Sequence, residues 1–134
     1  MKGLTRENDD VIGFVVDALY ERAIDIKELN DWAINIVINN NVDELPMYII
    51  DLMDFDSYLK DIYEVIGFVP DWKHSKKQSI ALYAIAIKRG RGYRLTNDDI
   101  TDDDHISDEE ALNALQQHPE IEKRFRETFP FIDF

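Results

Sequence analysis

The pattern that most constrains the fold is a helix cap followed by apolar residues three and four positions apart, which recurs along the chain. Asp25 and Glu28 fit a capping box ahead of such an apolar run, and Ser107 and Glu110 fit another. We find no strong alternation of apolar and polar residues, which a half-buried strand would require. The sequence therefore predicts an all-α fold, and 134 residues suit a single compact domain of six or seven short helices over residues 1–134.

The first three helices are expected in the N-terminal third of the chain. The first covers about residues 9–22, where acids precede the apolar residues, and the second follows Asp25. Asp43 is the expected cap of the third helix, because Pro46 is tolerated in a first helical turn.

The fourth and fifth helices are expected on either side of the apolar connection "FVPDW". The fourth begins at Asp56 or Ser57 and ends at Gly67, which suits a left-handed C-cap. Ser75 begins the fifth, whose apolar residues cover nearly every face between positions 80 and 87, so we expect it to be the most buried helix. A strand is the alternative for "IALYAIAI", because periodicity alone does not exclude one.

The C-terminal third is expected to contain a long loop and two more helices. The loop covers residues 89–106, and Ser107 begins the helix that follows it. Pro119 can start the last helix. The tail "FPFIDF" adds three aromatic residues beyond any obvious helix end.

The charge of the chain points to a basic protein partner. The sequence contains 28 acidic and 15 basic residues, for a net charge of −13 at pH 7, which disfavours nucleic acids and anionic membranes as partners. Seven of the bases and no acid lie between Asp71 and Asp98, and we call this segment (residues 73–94) the basic island. With no cysteine, no secretory signal and no apolar run of membrane-spanning length, we expect a cytoplasmic protein.

Eight acids stand among the fourteen residues of "NDDITDDDHISDEE" at positions 97–110. Calcium binding is one interpretation, because Asp99, Asp103 and Glu110 fall at ligand positions of an EF-hand loop. Asp104 stands where that loop needs a glycine, which argues against it. The other interpretations are a solvated loop that keeps the protein soluble and a docking surface for a cationic protein.

A second acidic stretch, "DLMDFDSYLKDIYE" at positions 51–64, supports the docking interpretation. Tyr58 and Tyr63 are interleaved with its acids, and tyrosines anchor interfaces when they are partly exposed. Ordinary core packing is the alternative for each tyrosine. The acids of this stretch are Asp51, Asp54, Asp56, Asp61 and Glu64.

Catalysis and nucleic-acid binding find little support in the sequence. His74, His105 and His118 lack the spacing of a helical metal pair, and there is no nucleophile elbow, P-loop or dinucleotide-binding glycine pattern. We therefore expect no catalytic residue, no metal and no cofactor. The segment "KRGRGYR" has the composition of some RNA-binding segments, but it is short and a helix C-terminus accounts for half of it.

The chain is small, strongly acidic and free of cysteine, is predicted to be helical, and contains stretches such as "DLMDFDSYLKDIYE" and "DDDHISDEE". In these respects it resembles the immunity proteins of bacterial toxin–immunity pairs, including those of contact-dependent growth inhibition. The resemblance implies a protein that binds a cognate basic toxin domain, frequently a nuclease, and covers its active site or substrate surface. The chain is longer than the most familiar small nuclease immunity proteins, and its basic island has no counterpart there.

The acids of the first stretch and three residues of the second are the residues we expect to bind this partner. Carboxylates would occupy the cationic groove that phosphates otherwise fill, and aromatic side chains would supply apolar affinity. The candidate partner-binding residues are Asp98, Asp99, Asp102, Asp103, Asp104, Asp108, Glu109, Glu110, Asp54, Asp56 and Tyr58.

Two alternatives remain open from the sequence. One is a helical interaction or regulatory module, in the form of a homodimer that uses the apolar tail residues Phe129, Phe131, Ile132 and Phe134. The other is a metal-binding or hydrolytic protein.

Overall fold

The computed structural model of the protein describes residues 1–91 and 106–134. Those residues form seven α-helices and two 3-10 turns, with no β-strand among them, which confirms the all-α prediction. The chain divides into two compact units, which we call the first unit (Met1–Tyr20 with Ile24–Lys73) and the second unit (Glu21–Ala23 with His74–Phe134). Within the described residues, no helix has the length and apolar character needed to cross a bilayer.

The helices are short, as the sequence predicts. In the first unit they are α1 (Asp10–Tyr20), α2 (Ile26–Asn39), α3 (Tyr48–Leu52) and α4 (Ile62–Ile66), with 3-10 turns at Val42–Glu44 and Leu59–Asp61. In the second unit they are α5 (Lys76–Lys88), α6 (Asp108–Gln117) and α7 (Pro119–Thr128).

Side-chain caps set the start of three helices. The Asp25 carboxylate accepts from the Glu28 backbone N–H (2.8 Å) and the Glu28 carboxylate accepts from the Asp25 N–H (3.0 Å), so the predicted capping box is confirmed. Ser75 and Gln78 form a second box at α5, which is a helix and not the alternative strand. Ser107 caps α6 by accepting from the Glu110 backbone N–H (3.1 Å), which is one of the two bonds of the predicted capping box.

The third helix is shorter than predicted, and Asp43 does not cap it. Asn41 caps a 3-10 turn at Val42–Glu44, and α3 begins only after Pro46. The cause is the residue before the proline: the proline ring disfavours helical angles there, and Leu45 is extended (φ −100°, ψ 148°). The expected single helix is therefore split into two short pieces.

The boundaries of the fourth and first helices also differ from prediction. The fourth starts as a 3-10 turn at Leu59, because the Ser57 hydroxyl donates to the Asp61 carboxylate and Tyr58 is extended. It ends as expected at Gly67, which has a φ of 91°. α1 ends at Tyr20, two residues early.

Burial is greatest in α1 and not in α5, which corrects the expectation for the fifth helix. α1 buries seven of its eleven residues, whereas α5 buries six of thirteen, all in the run 81–86. The reason is the composition of its ends, since Lys76, Lys77 and Lys88 are exposed.

The segment after α4 is fixed along α1 in the first unit. The Trp72 ring packs edge-on against Phe14 with 5.0 Å between centroids, and its indole N–H donates to Asp17 (2.9 Å). The Asp71 backbone N–H donates to the Asp9 carboxylate (2.9 Å). Two hydrogen bonds and a buried aromatic pair therefore hold this segment on the helix.

The N-terminal residues complete the core of the first unit. The buried Tyr48 hydroxyl donates to the Leu4 carbonyl, and burial raises the pKa of Tyr48 above its usual value. The Arg6 guanidinium donates to the Gly67 carbonyl (2.9 Å) and lies 5.4 Å from the centroid of the Phe68 ring. These contacts connect the chain start to α3 and to the end of α4.

In the second unit, α6 and α7 pack on α5, and the aromatic tail folds back on α7. Phe125 lies 4.9 Å from Phe129 and 5.5 Å from Phe134, centroid to centroid. Phe129 is fully buried and Ile132 is 9% exposed. The homodimer alternative requires the side chains of Phe129 and Ile132 at the surface. Of the four tail residues, only Phe131 and part of Phe134 are exposed for such an interface.

Gly13 gives a stability test of the first unit. A Cβ at Gly13 would lie 2.3 Å from the carbonyl carbon of Asp71, so no side chain fits between α1 and that backbone. Helix propensity alone predicts that Gly13→Ala stabilises by about 1 kcal/mol. We expect the opposite sign, a loss of about 1–3 kcal/mol from overpacking, measured by urea denaturation. A variant as stable as the parent would contradict the close approach.

Candidate functional site

The predicted acidic loop lies mostly outside the described residues. The two interpretations of that loop, as a calcium site and as a docking surface, therefore concern residues outside the described part of the chain. The candidate residues outside the described ranges are Asp98, Asp99, Asp102, Asp103 and Asp104.

The remaining acids of that stretch form the first turn of α6. Asp108, Glu109 and Glu110 are all exposed, and they follow the cap residue Ser107. Negative charge in the first turn stabilises a helix, because it interacts favourably with the unbonded N–H groups at the helix N-terminus. Their placement is thus explained by helix formation, whether or not they also bind a partner.

The second acidic stretch forms the candidate site. An open depression of about 490 Å³ lies between the end of α3 and α4 in the first unit, and we call it the acidic depression. Four of its seven lining residues are acidic, and none of the seven is basic. The lining residues are Asp54, Phe55, Asp56, Ser57, Asp61, Glu64 and Val65.

The negative charge of the acidic depression is not compensated within the described part of the chain. Over residues 1–91 and 106–134, no ion pair reaches Asp54, Asp56 or Glu64, and Asp61 accepts only the Ser57 hydroxyl. No group of three or more acids or histidines in those residues is arranged to hold a metal ion. The carboxylates therefore do not converge on one point. Their arrangement suits several cationic side chains of a protein better than it suits a single metal ion.

A half-buried amide holds the α3 side of the acidic depression. The Asn30 side chain on α2 donates to the carbonyls of Leu52 (2.8 Å) and Phe55 (3.0 Å). These two carbonyls belong to Leu52, the last residue of α3, and to the buried Phe55. They lie on either side of Asp54 along the chain. The amide thus satisfies carbonyls left open at the helix end and fixes the backbone that carries Asp54.

Stacked tyrosines hold the α4 side. The rings of Tyr20 and Tyr63 stack with 5.8 Å between centroids, and the Tyr20 hydroxyl donates to the Leu59 carbonyl (3.2 Å). Burial raises the pKa of Tyr63, and the Tyr20 hydroxyl and the charge of Asp17 raise it further. Tyr63 therefore stays neutral and packs within the unit, as the core-packing alternative proposed.

Tyr58 behaves differently, because its side chain projects from the same stretch into solvent. It is 75% exposed, and the Lys60 ammonium lies 5.9 Å from its ring centroid. A tyrosine this exposed keeps most of its ring available to a partner. It does not line the acidic depression, although Asp56 and Ser57 immediately before it do.

The basic island has contacts of its own within the second unit. The Lys88 ammonium pairs with Glu122 at 3.4 Å, and the Arg89 guanidinium donates to the Ala23 carbonyl at 2.6 Å. Lys88 and Glu122 also line a smaller pocket of about 420 Å³ beside α6 and α7. These contacts place two bases of the island at structural positions in that unit.

In comparisons with known proteins, no family model, no curated protein and no solved structure matches the chain. What the protein does is therefore inferred from the geometry and charge of its own residues.

Asn30 offers a direct test of how the site is held. We expect Asn30→Ala to destabilise the protein by about 1–3 kcal/mol, because it leaves the carbonyls of Leu52 and Phe55 without a partner. Amide hydrogen exchange around Asp54 should become faster. Asn39→Ala is the matched control, since the exposed Asn39 amide bonds only the Asn35 carbonyl of its own helix, and it should change stability by about 0.5 kcal/mol or less. An equal loss of stability in the two variants would contradict the proposed role of Asn30.

Proposed function

We propose that the protein binds a basic protein through the acidic depression of its first unit. The observation that carries this proposal is the placement of four carboxylates around one open depression that no basic residue lines. Tyr58 beside it supplies an exposed aromatic anchor.

The physical reason is the cost of holding like charges together. Carboxylates at neighbouring positions repel each other, and water and salt screen that repulsion only in part. Lys and Arg side chains of a partner would replace repulsion with attraction, and the negative potential would raise the rate of encounter. The depression therefore favours a cationic partner over a neutral or anionic one.

We further propose that the bound state neutralises a toxin. The resemblance in type to immunity proteins of toxin–immunity pairs supports this role, together with the net charge of −13. A basic nuclease domain binds phosphates in a cationic groove, and carboxylates set in that groove would compete with its substrate. In this role the chain performs no chemistry itself and acts in the cytoplasm, where the toxin would act.

The test is co-expression with the product of the neighbouring reading frame. If that product carries a toxic basic domain, we expect the chain to restore growth of the host and to form a stoichiometric complex with the domain on size exclusion. The variant Asp54→Asn/Asp56→Asn/Glu64→Gln should bind at least about 10-fold more weakly and protect poorly, because it removes three of the four charges of the depression.

A matched control removes the same charge elsewhere in the first unit. Glu7, Asp43 and Glu44 are exposed and do not line the acidic depression. Changing them together to Gln, Asn and Gln should leave protection unchanged. Equal loss in both triple variants would mean that only the overall charge matters, and full protection by the depression variant would remove this site from the proposal.

A further inference from the structure

The outer face of α3 carries exposed apolar side chains at one end and an exposed acid at the other. Backbone angles are right-handed helical from Met47 to Met53, so Met47, Ile50 and Asp54 lie on one face at spacings of three and four. Met47 is 87% exposed and Ile50 is 45% exposed. The opposite face of the helix is buried in the first unit.

This face changes from apolar to acidic along its length. At 1.5 Å per residue, Met47 and Asp54 are separated by about 10 Å. Asp54 is also a lining residue of the acidic depression, so the apolar half of the face continues directly into it. The two surfaces form one strip, which we call the α3 strip: Met47 and Ile50, then Asp54 and the depression.

Helix α2 also exposes apolar side chains, on the ridge that begins at Asn30. Asn30, Ile34 and Ile38 follow each other at intervals of four along one ridge of α2. The Asn30 end of that ridge is bonded to the carbonyls at the end of α3. Ile38 is 72% exposed and Ile34 is 37% exposed, so the ridge carries exposed apolar side chains beyond its Asn30 end.

We propose that the α3 strip docks a cationic amphipathic segment of the partner, with apolar side chains on Met47 and Ile50 and bases in the acidic depression. Charge complementarity selects this occupant, because a neutral apolar segment would leave the carboxylates unpaired and a purely basic segment would leave the apolar half exposed. A helix of about two turns spans the same 10 Å and can present apolar residues at one end and bases at the other. The inference rests on the proposed function and narrows the chemistry of its partner.

The test uses three synthetic peptides of about 18 residues. The first is a Leu/Lys peptide whose one helical face carries leucines in one half and lysines in the other half, the second is a scrambled peptide of the same composition, and the third is oligolysine. Binding is measured by calorimetry at about 50 mM and about 500 mM salt. We expect the amphipathic peptide to bind at least about 10-fold more tightly than the other two at low salt.

One double variant and one control assign the site. Met47→Gln/Ile50→Gln should lower the affinity for the amphipathic peptide to that for the scrambled one, since glutamine keeps the helix and removes the apolar contact. Val69→Gln is the control, because Val69 is 71% exposed but lies outside both α3 and the lining of the depression. Circular dichroism checks that each variant is folded.

The outcomes separate this inference from the proposed function. Equal, salt-sensitive binding of all three peptides would overturn the inference and leave a general acidic receptor in place. An unchanged affinity in the Met47/Ile50 variant, or an equal loss in the Val69 variant, would also overturn it. Absence of binding by every cationic peptide would count against both proposals.

Discussion

The proximity of four carboxylates follows from the way the first unit buries its apolar side chains. Phe55 is buried between Asp54 and Asp56, and Ile62 and Ile66 are buried on α4, so the acids between and beside them must face outward. Two tertiary connections, the Asn30 amide at the end of α3 and the tyrosine stack at α4, fix that arrangement. The charges therefore cannot move apart without disrupting the core, and their mutual repulsion is retained in the folded state.

Local signals in the sequence were enough for the fold class and for most helix starts. Asp25, Ser75 and Ser107 cap helices as predicted, because a cap depends on residues only three positions away. The split of the third helix was also readable in principle, since the conformation of Leu45 follows from the proline after it. Asp43, a common cap residue, gives a competing signal three residues before the proline.

Features that depend on distant contacts were not accessible from the sequence. Asn30 bonds carbonyls 22 and 25 residues away, and nothing around it distinguishes this asparagine from those at positions 39–41. The burial of Phe129 and Ile132 likewise requires the packing of the tail on its own unit, which periodicity does not describe. Asp61 and Glu64 belong to the second acidic stretch, but only the fold brings them together with Asp54 and Asp56.

The central claim is that uncompensated negative potential on the first unit attracts a basic protein. Stopped-flow measurement of the association rate with the proposed basic partner, as a function of ionic strength, tests it most directly. We expect the rate to fall by about 10-fold or more between low and high salt, while the dissociation rate changes little. An association rate independent of salt would contradict the claim, because apolar contact alone would then account for recognition.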